Sequence, residues 1–281
     1  MTASARYELK DVLIRIEDVH VSFTNADTGE FVPVLAGVSA EVKDITRSNA
    51  VTGQIVGILG PSGVGKTQLA RVLTGLQEPT SGQVTVGPSA TPVSAGLVGY
   101  VPQNYPLFEH RTVLGNLVLA ARKNGLVGKD AEAKAMAYLE DFSLADKWSR
   151  YPAELSGGQR QRVAIAQQLL CSAHFILLDE PTTGLDPIMK DKVCDLVRHV
   201  AGMSEENTVF VVTHDLGSIL TIADHLWLLG RVRNDKGESM GARIVKTYDL
   251  IEEGLAWQER PADLPAYPRL LREIRAEFET L

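Results

Sequence analysis

The sequence predicts an α/β protein built on a parallel β-sheet that helices cover on both faces. Three short apolar runs, residues 55–59, 175–178 and 209–212, have the length of buried strands, and helix-compatible segments alternate with them. Such sheets bind their ligands at the carboxyl ends of the strands, where the polar motifs of this chain fall. We therefore expect the functional site at that edge.

The first apolar run leads into the stretch GPSGVGKT, residues 60–67. It has the form G-x-x-x-x-G-K-[ST], in which glycines let the backbone N–H groups wrap a polyphosphate at the start of a helix. Lys66 would reach the β- and γ-phosphates, and the Thr67 hydroxyl would reach Mg²⁺. The predicted nucleotide contacts are Gly60, Pro61, Ser62, Gly63, Val64, Gly65, Lys66, Thr67 and Gln68. The loop alone does not identify the family.

Composition excludes several classes of function. The 281 residues carry a formal net charge of -7, which argues against a general nucleic-acid or anionic-membrane surface. No run approaches the roughly 18 apolar residues of a membrane span, and the N-terminus lacks the apolar centre of a signal peptide. We expect a cytoplasmic protein with no nucleic-acid partner, whose membrane role, if any, comes from a partner.

Segments around the phosphate loop are strand-like. Residues 12–23 and 32–42 alternate in polarity about an NADTGE turn at 25–30, which predicts antiparallel strands. Residues 44–50 are polar and predict a short loop. Two further strands are predicted at 81–86 and 97–101.

From Thr112 the pattern becomes helical. Thr112 can cap a helix, and residues 133, 136, 139 and 142 are apolar at helical spacing. Strand 175–179, helix 188–203 and strand 208–215 follow. Residues 231–243 are charged and glycine-rich, and the last segment predicts an amphipathic helix that packs on its own domain rather than on a partner. Its apolar stripe is Leu270, Leu271, Ile274, Phe278 and Leu281.

The run at 175–178 ends in two adjacent carboxylates, Asp179 and Glu180. On a strand next to the phosphate loop, Asp179 would hold Mg²⁺ through water. Glu180 would orient and deprotonate the water that attacks the γ-phosphate. Buried strands can also end in acidic residues by chance, so a catalytic role for Asp179 and Glu180 has to be supported by a second motif.

That motif is LSGGQ at residues 155–159, which offers a serine hydroxyl, exposed backbone N–H groups and a helix start to an anion. The alternative is a glycine-rich helix cap. With the phosphate loop and the acidic strand end, the chain resembles the ATP-binding cassette (ABC) ATPases over residues 12–230. The resemblance implies a P-loop NTPase (RecA-like) parallel-sheet core, an antiparallel β subdomain and a helical signature subdomain at about 104–170. Residues 231–281 would form a C-terminal extension.

The resemblance also implies two ATP molecules sandwiched in a head-to-tail dimer, with Lys66, Glu180 and His214 in catalytic roles. His214 matches the switch histidine, and Gln103 matches the glutamine that senses the γ-phosphate and Mg²⁺. Thr67, Gln103 and Asp179 would be the metal contacts. The remaining implied nucleotide contacts are Ser156, Gly157, Gly158, Gln159 and Asp186.

The aromatic residue that stacks on adenine in this family is matched by Phe23, with Tyr7 as a weaker candidate. An apparent extra loop separates Phe23 from the phosphate loop, so a plain core aromatic remains the alternative for Phe23.

Among ABC proteins, the segment PQNYPLFEHRTVLGNL is similar to that of bacterial importers for amino acids and for nitrate or sulfonate. The resemblance implies transmembrane permease subunits, a second cassette that is identical or paralogous, and a periplasmic or surface solute-binding protein. Tyr105, Leu107 and Phe108 would form the docking groove, with burial in the domain as the alternative. We expect a location at the inner face of the cell membrane.

Two other functions remain open from the sequence alone. A soluble ABC-type ATPase that acts as an assembly factor, of the iron–sulfur cluster type, would share these motifs. A generic P-loop kinase would not need LSGGQ.

Overall fold

The structure, a computed structural model, describes residues 7–47, 53–172, 174–237 and 239–281. Its strands are β1 (Tyr7–Thr24), β2 (Phe31–Arg47), β3 (Gln54–Leu59), β4 (Ser81–Val86), β5 (Thr91–Pro92), β6 (Gly99–Val101), β7 (Phe175–Asp179), β8 (Thr208–Thr213), β9 (His225–Arg233) and β10 (Ser239–Asp249). Its helices are α1 (Lys66–Leu73), α2 (Val113–Lys123), α3 (Gly128–Asp141), α4 (Gly157–Cys171), α5 (Pro187–Gly202), α6 (Leu216–Ile222) and α7 (Ala266–Phe278).

All of these strands belong to one sheet, in the order β5-β4-β1-β2-β10-β9-β3-β8-β7-β6. Strands β9, β3, β8, β7 and β6 run parallel to one another. Strand β10 pairs antiparallel with β9, and β1 pairs antiparallel with β2 and β4. A parallel pairing of Ala242 in β10 with Leu35 in β2 joins the two halves. The predicted fold class is confirmed, and the antiparallel strands continue the parallel sheet.

The phosphate-loop strand β3 is buried on both faces, as its continuous apolar run predicts. Ile55 and Leu59 belong to the core that the sheet shares with α2 to α7. Val56 and Ile58 belong to the core on the other face, which contains α1 and the inner residues of β1 and β2. Burial of alternating residues in two different cores fixes the register of β3 and hence the position of the loop that follows it.

Helices α2, α3 and α4 form the predicted helical region. The Thr112 side chain accepts a hydrogen bond from the Gly115 N–H at 3.1 Å, so the predicted cap is confirmed. Of the four predicted apolar positions, Leu139 and Phe142 are buried, Met136 is partly buried and Ala133 is exposed. Ala131 and Ala135 complete the buried face of α3. Alanine occurs on both faces of α3, so its positions do not define the buried side.

One loop prediction was wrong. Residues 44–47, predicted as loop, continue β2, in which Ile45 is buried opposite Leu9 of β1. Residues 48–50 of that prediction lie outside the described residues. The charged segment 231–243 holds the end of β9 and the start of β10, because pairing with neighbouring strands satisfies its backbone whatever its side chains are.

The C-terminal stripe packs on the chain itself. Leu270 and Ile274 in α7 are fully buried, and the Tyr267 hydroxyl donates to the Gly217 carbonyl in α6 at 3.3 Å. The division of the chain at residue 230 remains a prediction, and residue 230 lies inside β9. Over the residues that the structure describes, no helix combines the length and apolarity needed to cross a bilayer.

Candidate functional site

The phosphate loop connects β3 to α1 and is shaped by glycines. Gly63 and Gly65 have φ values of 75° and 120°, a region that side chains disfavour. A Cβ on Gly60 would lie 2.7 Å from the Leu229 carbonyl oxygen of β9. The glycine pattern of the motif is therefore required by the backbone and by the close approach of a neighbouring strand.

Lys66 begins α1 and is almost fully buried. Its ammonium donates to the carbonyls of Gly60, at 2.8 Å, and Pro61, at 3.1 Å, and lies 3.6 Å from Glu180 Oε1. Burial lowers the pKa of Lys66, and the negative charge of Glu180 opposes that change. The Lys66 ammonium is thus held inside the phosphate loop, next to the carboxylate of Glu180, which directly follows β7.

Asp179 ends β7 beside α1. Its Oδ2 accepts a hydrogen bond from the Tyr100 hydroxyl at 2.9 Å and a longer one from the Thr67 hydroxyl at 3.4 Å. Its Oδ1 is buried and has no partner among the described residues. Burial raises the pKa of Asp179, and the Tyr100 hydrogen bond opposes this. A buried carboxylate oxygen without a donor is a candidate acceptor for a cation or for water bound to one.

Glu180 follows at a strained position, with φ of 51°. Its Oε2 accepts from the Thr183 hydroxyl at 2.8 Å and lies 2.9 Å from His214 Nδ1. Burial raises the pKa of Glu180, but the hydrogen bonds of His214 and Thr183 outweigh burial and hold this pKa below its ordinary value. The Glu180 carboxylate is therefore stabilised in its charged form.

His214 follows β8, the strand between β3 and β7, so the parallel sheet brings it beside Glu180. The next residue, Asp215, caps α6 by accepting from the Ser218 N–H at 3.2 Å. Asp215 also pairs with Lys190 of α5 at 2.6 Å. This ion pair links the helix after Asp186 to the segment that carries His214.

Ser156 and Gln159 form a capping box at the start of α4. The Ser156 hydroxyl accepts from the Gln159 N–H, and Gln159 Oε1 accepts from the Ser156 N–H. The helix-cap interpretation is thus correct for these side chains. A Cβ on Gly157 would meet nothing within 4 Å, and one on Gly158 only a methionine methyl at 3.6 Å. The chain's own packing does not require these two glycines, so they leave its surface open there.

Asp186 has a similar position at the start of α5, where its side chain accepts from the Met189 N–H at 3.1 Å. Gln103 is exposed in the turn after β6. The described hydrogen bonds of Ser156 and Asp186 stay within their own helix starts, so the structure of one chain does not bring these residues to the phosphate loop.

The two aromatic candidates lie at opposite ends of the 18-residue β1. Phe23 is 45% exposed, and its position in β1 pairs with Val32 of β2. Leu35, three residues further along β2, lies beside the phosphate loop, where a Cβ added to Gly65 would come within 3.2 Å of it. Tyr7 packs instead against Trp257 at the far end of the strand. The geometry separates Tyr7 from the phosphate loop and leaves Phe23 as the candidate for a base contact.

Several residues of the site were missed by the sequence analysis. Tyr100 and Thr183 bond the two carboxylates, and the Arg231 guanidinium donates to the Gly63 carbonyl of the phosphate loop at 2.7 Å. The contacts of Tyr100 and Arg231 depend on which strands are neighbours, and no local pattern of the sequence reports that. Thr183 lies three residues after Glu180, in the turn that follows β7.

Lys66, Thr67, Asp179, Glu180 and His214 therefore meet at the carboxyl edge of β3, β7 and β8. Three features together define a P-loop nucleoside triphosphatase. They are a glycine-rich loop between β3 and α1, a buried lysine at the end of that loop, and acidic residues at the end of β7, which is separated from β3 by β8 in the sheet. This is the class of protein that the fold and the site establish.

The comparisons with known proteins give the family. The model of the ABC transporter family matches residues 46–183. The chain is 38% identical over 205 residues to the L-cystine transport ATP-binding protein TcyN of Escherichia coli K12, covering 68% of this chain and 78% of that protein. It is 39% identical over 189 residues to the glutamine transport ATP-binding protein GlnQ of Geobacillus stearothermophilus, covering 64% and 77%.

Solved structures of ABC transporter cassettes have the same fold as this chain. The dimeric bacterial ABC transporter cassette MJ0796 aligns with a TM-score of 0.65 at 25% identity, covering 85% of this chain and 99% of that one. CbiO1 of Clostridium perfringens shares the fold, with a TM-score of 0.69 at 22% identity, covering 95% and 100%. The chain belongs to the ABC transporter family of ATP-binding proteins, and it is an ATPase.

The Arg231 contact generates a prediction. Replacing Arg231 with Met removes a charged donor from the phosphate loop, so we expect ATP to bind about 3- to 10-fold more weakly, in line with a hydrogen bond of roughly 0.5–1.5 kcal/mol. Arg233→Met is the matched control, because Arg233 is exposed on the same strand and donates to Gly237 instead. Titration with a fluorescent ATP analogue measures both. Equal affinities for the two variants would contradict the assigned role.

Proposed function

We propose that this chain powers a bacterial solute importer: ATP binding closes a dimer of cassettes, and hydrolysis reopens it. The observation that carries the proposal is the cluster of Lys66, Glu180 and His214, in which a cation for phosphates, a carboxylate and a histidine share one edge of the sheet. The ATP-binding subunits for cystine and glutamine transport found among its relatives support the importer class.

The residues at the end of β7 fit Mg²⁺. Thr67 offers a hydroxyl, and Asp179 offers a buried carboxylate whose Oδ1 has no donor among the described residues. Both are hard oxygen ligands of the kind that Mg²⁺ prefers beside nucleotide phosphates. Gln103 would reach the same region from the turn after β6. When bound, the cation would supply charge stabilisation to the γ-phosphate as it is transferred.

Glu180 is proposed as the general base, but its partners in this structure stabilise its carboxylate and so lower its pKa and its affinity for a proton. Lys66 and His214 both contact it, and both are groups that a γ-phosphate would attract. When they turn to the nucleotide, Glu180 loses two stabilising partners, and its pKa rises towards the range in which it can accept a proton from water. Nucleotide binding would thereby activate the base.

The signature residues Ser156, Gly157 and Gly158 are proposed to contact ATP held by a second chain. Three features of one chain support this. The helix start at α4 is exposed, its two glycines are free of steric demands from their own chain, and Ser156 makes its described side-chain contact within its own cap. A helix N-terminus with accessible N–H groups suits a phosphate. The MJ0796 cassette, described as dimeric and bound to ADP and Pi, supports the arrangement.

The proposed docking surface for the permease differs from the sequence prediction. Tyr105 and Leu107 pack partly into the domain, and the Tyr105 hydroxyl donates to the Pro181 carbonyl. Phe108 remains 45% exposed and lines a groove of about 520 Å³ together with Gly99, Ala120, Lys123 and Gln168. An apolar groove between the turn after β6 and α2 suits a short helix of a membrane subunit.

The remaining parts of the proposal follow from the family. A permease that binds this chain would keep it at the inner face of the membrane, and a separate solute-binding protein would select the solute. The relatives described above belong to transport systems for different solutes, cystine and glutamine, so the fold of the cassette does not specify the solute.

Glu180→Gln tests the chemistry. We expect it to retain ATP binding, to lose turnover by about 10²- to 10⁴-fold, and to accumulate as an ATP-bound dimer, because only the proton acceptor is removed. Lys66→Ala should instead weaken ATP binding itself. ATPase rates, nucleotide titration and size-exclusion chromatography with MgATP separate the two effects. Glu205→Gln, an exposed glutamate near the end of α5, is the control, and full turnover by Glu180→Gln would refute its role as base.

The docking surface has its own test. Phe108→Asp should abolish co-purification with the cognate permease subunits, since it places a charge in an apolar groove. Phe31→Asp is the matched control, because Phe31 is 77% exposed on the distant β1–β2 hairpin. If wild-type protein purifies only with soluble partners, the assembly-factor function is favoured and the importer proposal fails.

A further inference from the structure

Tyr100 is the middle residue of the short strand β6, which runs parallel to β7 at the edge of the sheet. It is aligned with Leu177, two residues before Asp179, and its side chain reaches diagonally across to that carboxylate. The hydroxyl donates to Asp179 Oδ2 at 2.9 Å. Burial raises the pKa of Tyr100, and Asp179 raises it further, so the hydroxyl remains a proton donor at any physiological pH.

The two oxygens of Asp179 have different surroundings. Oδ2 receives both donors, whereas Oδ1 is buried without a partner among the described residues. The Thr67 hydroxyl lies 3.4 Å away, at the outer limit of a hydrogen bond, so Tyr100 is the stronger of the two. Tyr100 therefore makes the stronger of the two described contacts that restrict the rotation of this carboxylate.

A cation at this site would draw the Thr67 hydroxyl away from Asp179. Tyr100 would then be the remaining described donor to Oδ2. A side chain on a separate strand, which does not itself touch the cation, would keep the Asp179 carboxylate in a fixed orientation beside it. Partners of this kind fix the orientation of a metal-binding carboxylate and are worth about 10- to 100-fold in metal affinity.

We propose that Tyr100 is a positioning residue for the divalent-cation site: its hydroxyl holds Oδ2 of Asp179 and so fixes the orientation of this carboxylate beside the cation that accompanies the nucleotide. This inference rests on the proposed function. It assigns a role in cation binding to a residue outside the sequence motifs. It also places β6, which leads into the turn with Gln103, on one side of the cation site.

Tyr100→Phe removes the hydroxyl and keeps the ring. In protein saturated with ADP, we expect Mn²⁺, measured by its electron paramagnetic resonance signal, to bind about 10-fold or more weakly than in wild type. Binding of ADP in EDTA should be unchanged, because the phosphate loop is intact. The Mg²⁺ concentration for half-maximal ATPase activity should rise by a similar factor, while the rate at saturating Mg²⁺ recovers to within about twofold.

Tyr138→Phe is the matched control, since Tyr138 is a partly buried tyrosine on α3 in the helical region. Unchanged Mn²⁺ affinity in Tyr100→Phe would overturn the assignment. A parallel loss of ADP binding in EDTA, or a low rate that no Mg²⁺ concentration restores, would also overturn it, because either result indicates general damage to the site. If wild-type protein hydrolyses ATP equally well without a divalent cation, the proposed function itself is wrong.

Discussion

The contact between Glu180 and its ammonium, imidazole and hydroxyl partners is the interaction on which the rest of the site depends. A carboxylate that is largely removed from water needs charge and hydrogen bonds to compensate for its lost hydration. Lys66, His214 and Thr183 provide them from three separate segments. Each of these partners follows or precedes a strand of the parallel sheet, so the site exists only when those strands are neighbours.

In the proposed mechanism, catalysis and nucleotide binding depend on each other. The groups that stabilise the charged form of Glu180 are those that a triphosphate would engage. Nucleotide binding would therefore exchange one set of partners for another, and the carboxylate would become more basic as this happens. The same exchange would reach beyond the sheet: Pro181, next to Glu180, accepts hydrogen bonds from Tyr105 and from Gln161 of α4. The turn after β6 and the helical region thus both contact the residue that follows the proposed base.

Residues in continuous motifs could be predicted from the sequence, because their roles depend on local backbone geometry. Gly63 and Gly65 have the positive φ values that a phosphate loop needs, and Ser156 begins α4 as its motif indicates. Tyr100 and Arg231 could not be predicted, because their partners come from strands that are distant in sequence. Leu107 was misjudged for a related reason: an apolar side chain in a loop can face a partner or its own domain, and only the packing distinguishes them.

The most direct measurement is a structure of the protein with Mg²⁺, ADP and beryllium fluoride, which imitates a bound triphosphate. We expect the Lys66 ammonium to leave the Pro61 carbonyl and Glu180 for the fluoride group, and His214 to move to the same group. We also expect Ser156 of a second chain to complete the site. A structure in which nucleotide is bound while Lys66 and His214 still contact Glu180 would contradict the proposed mechanism.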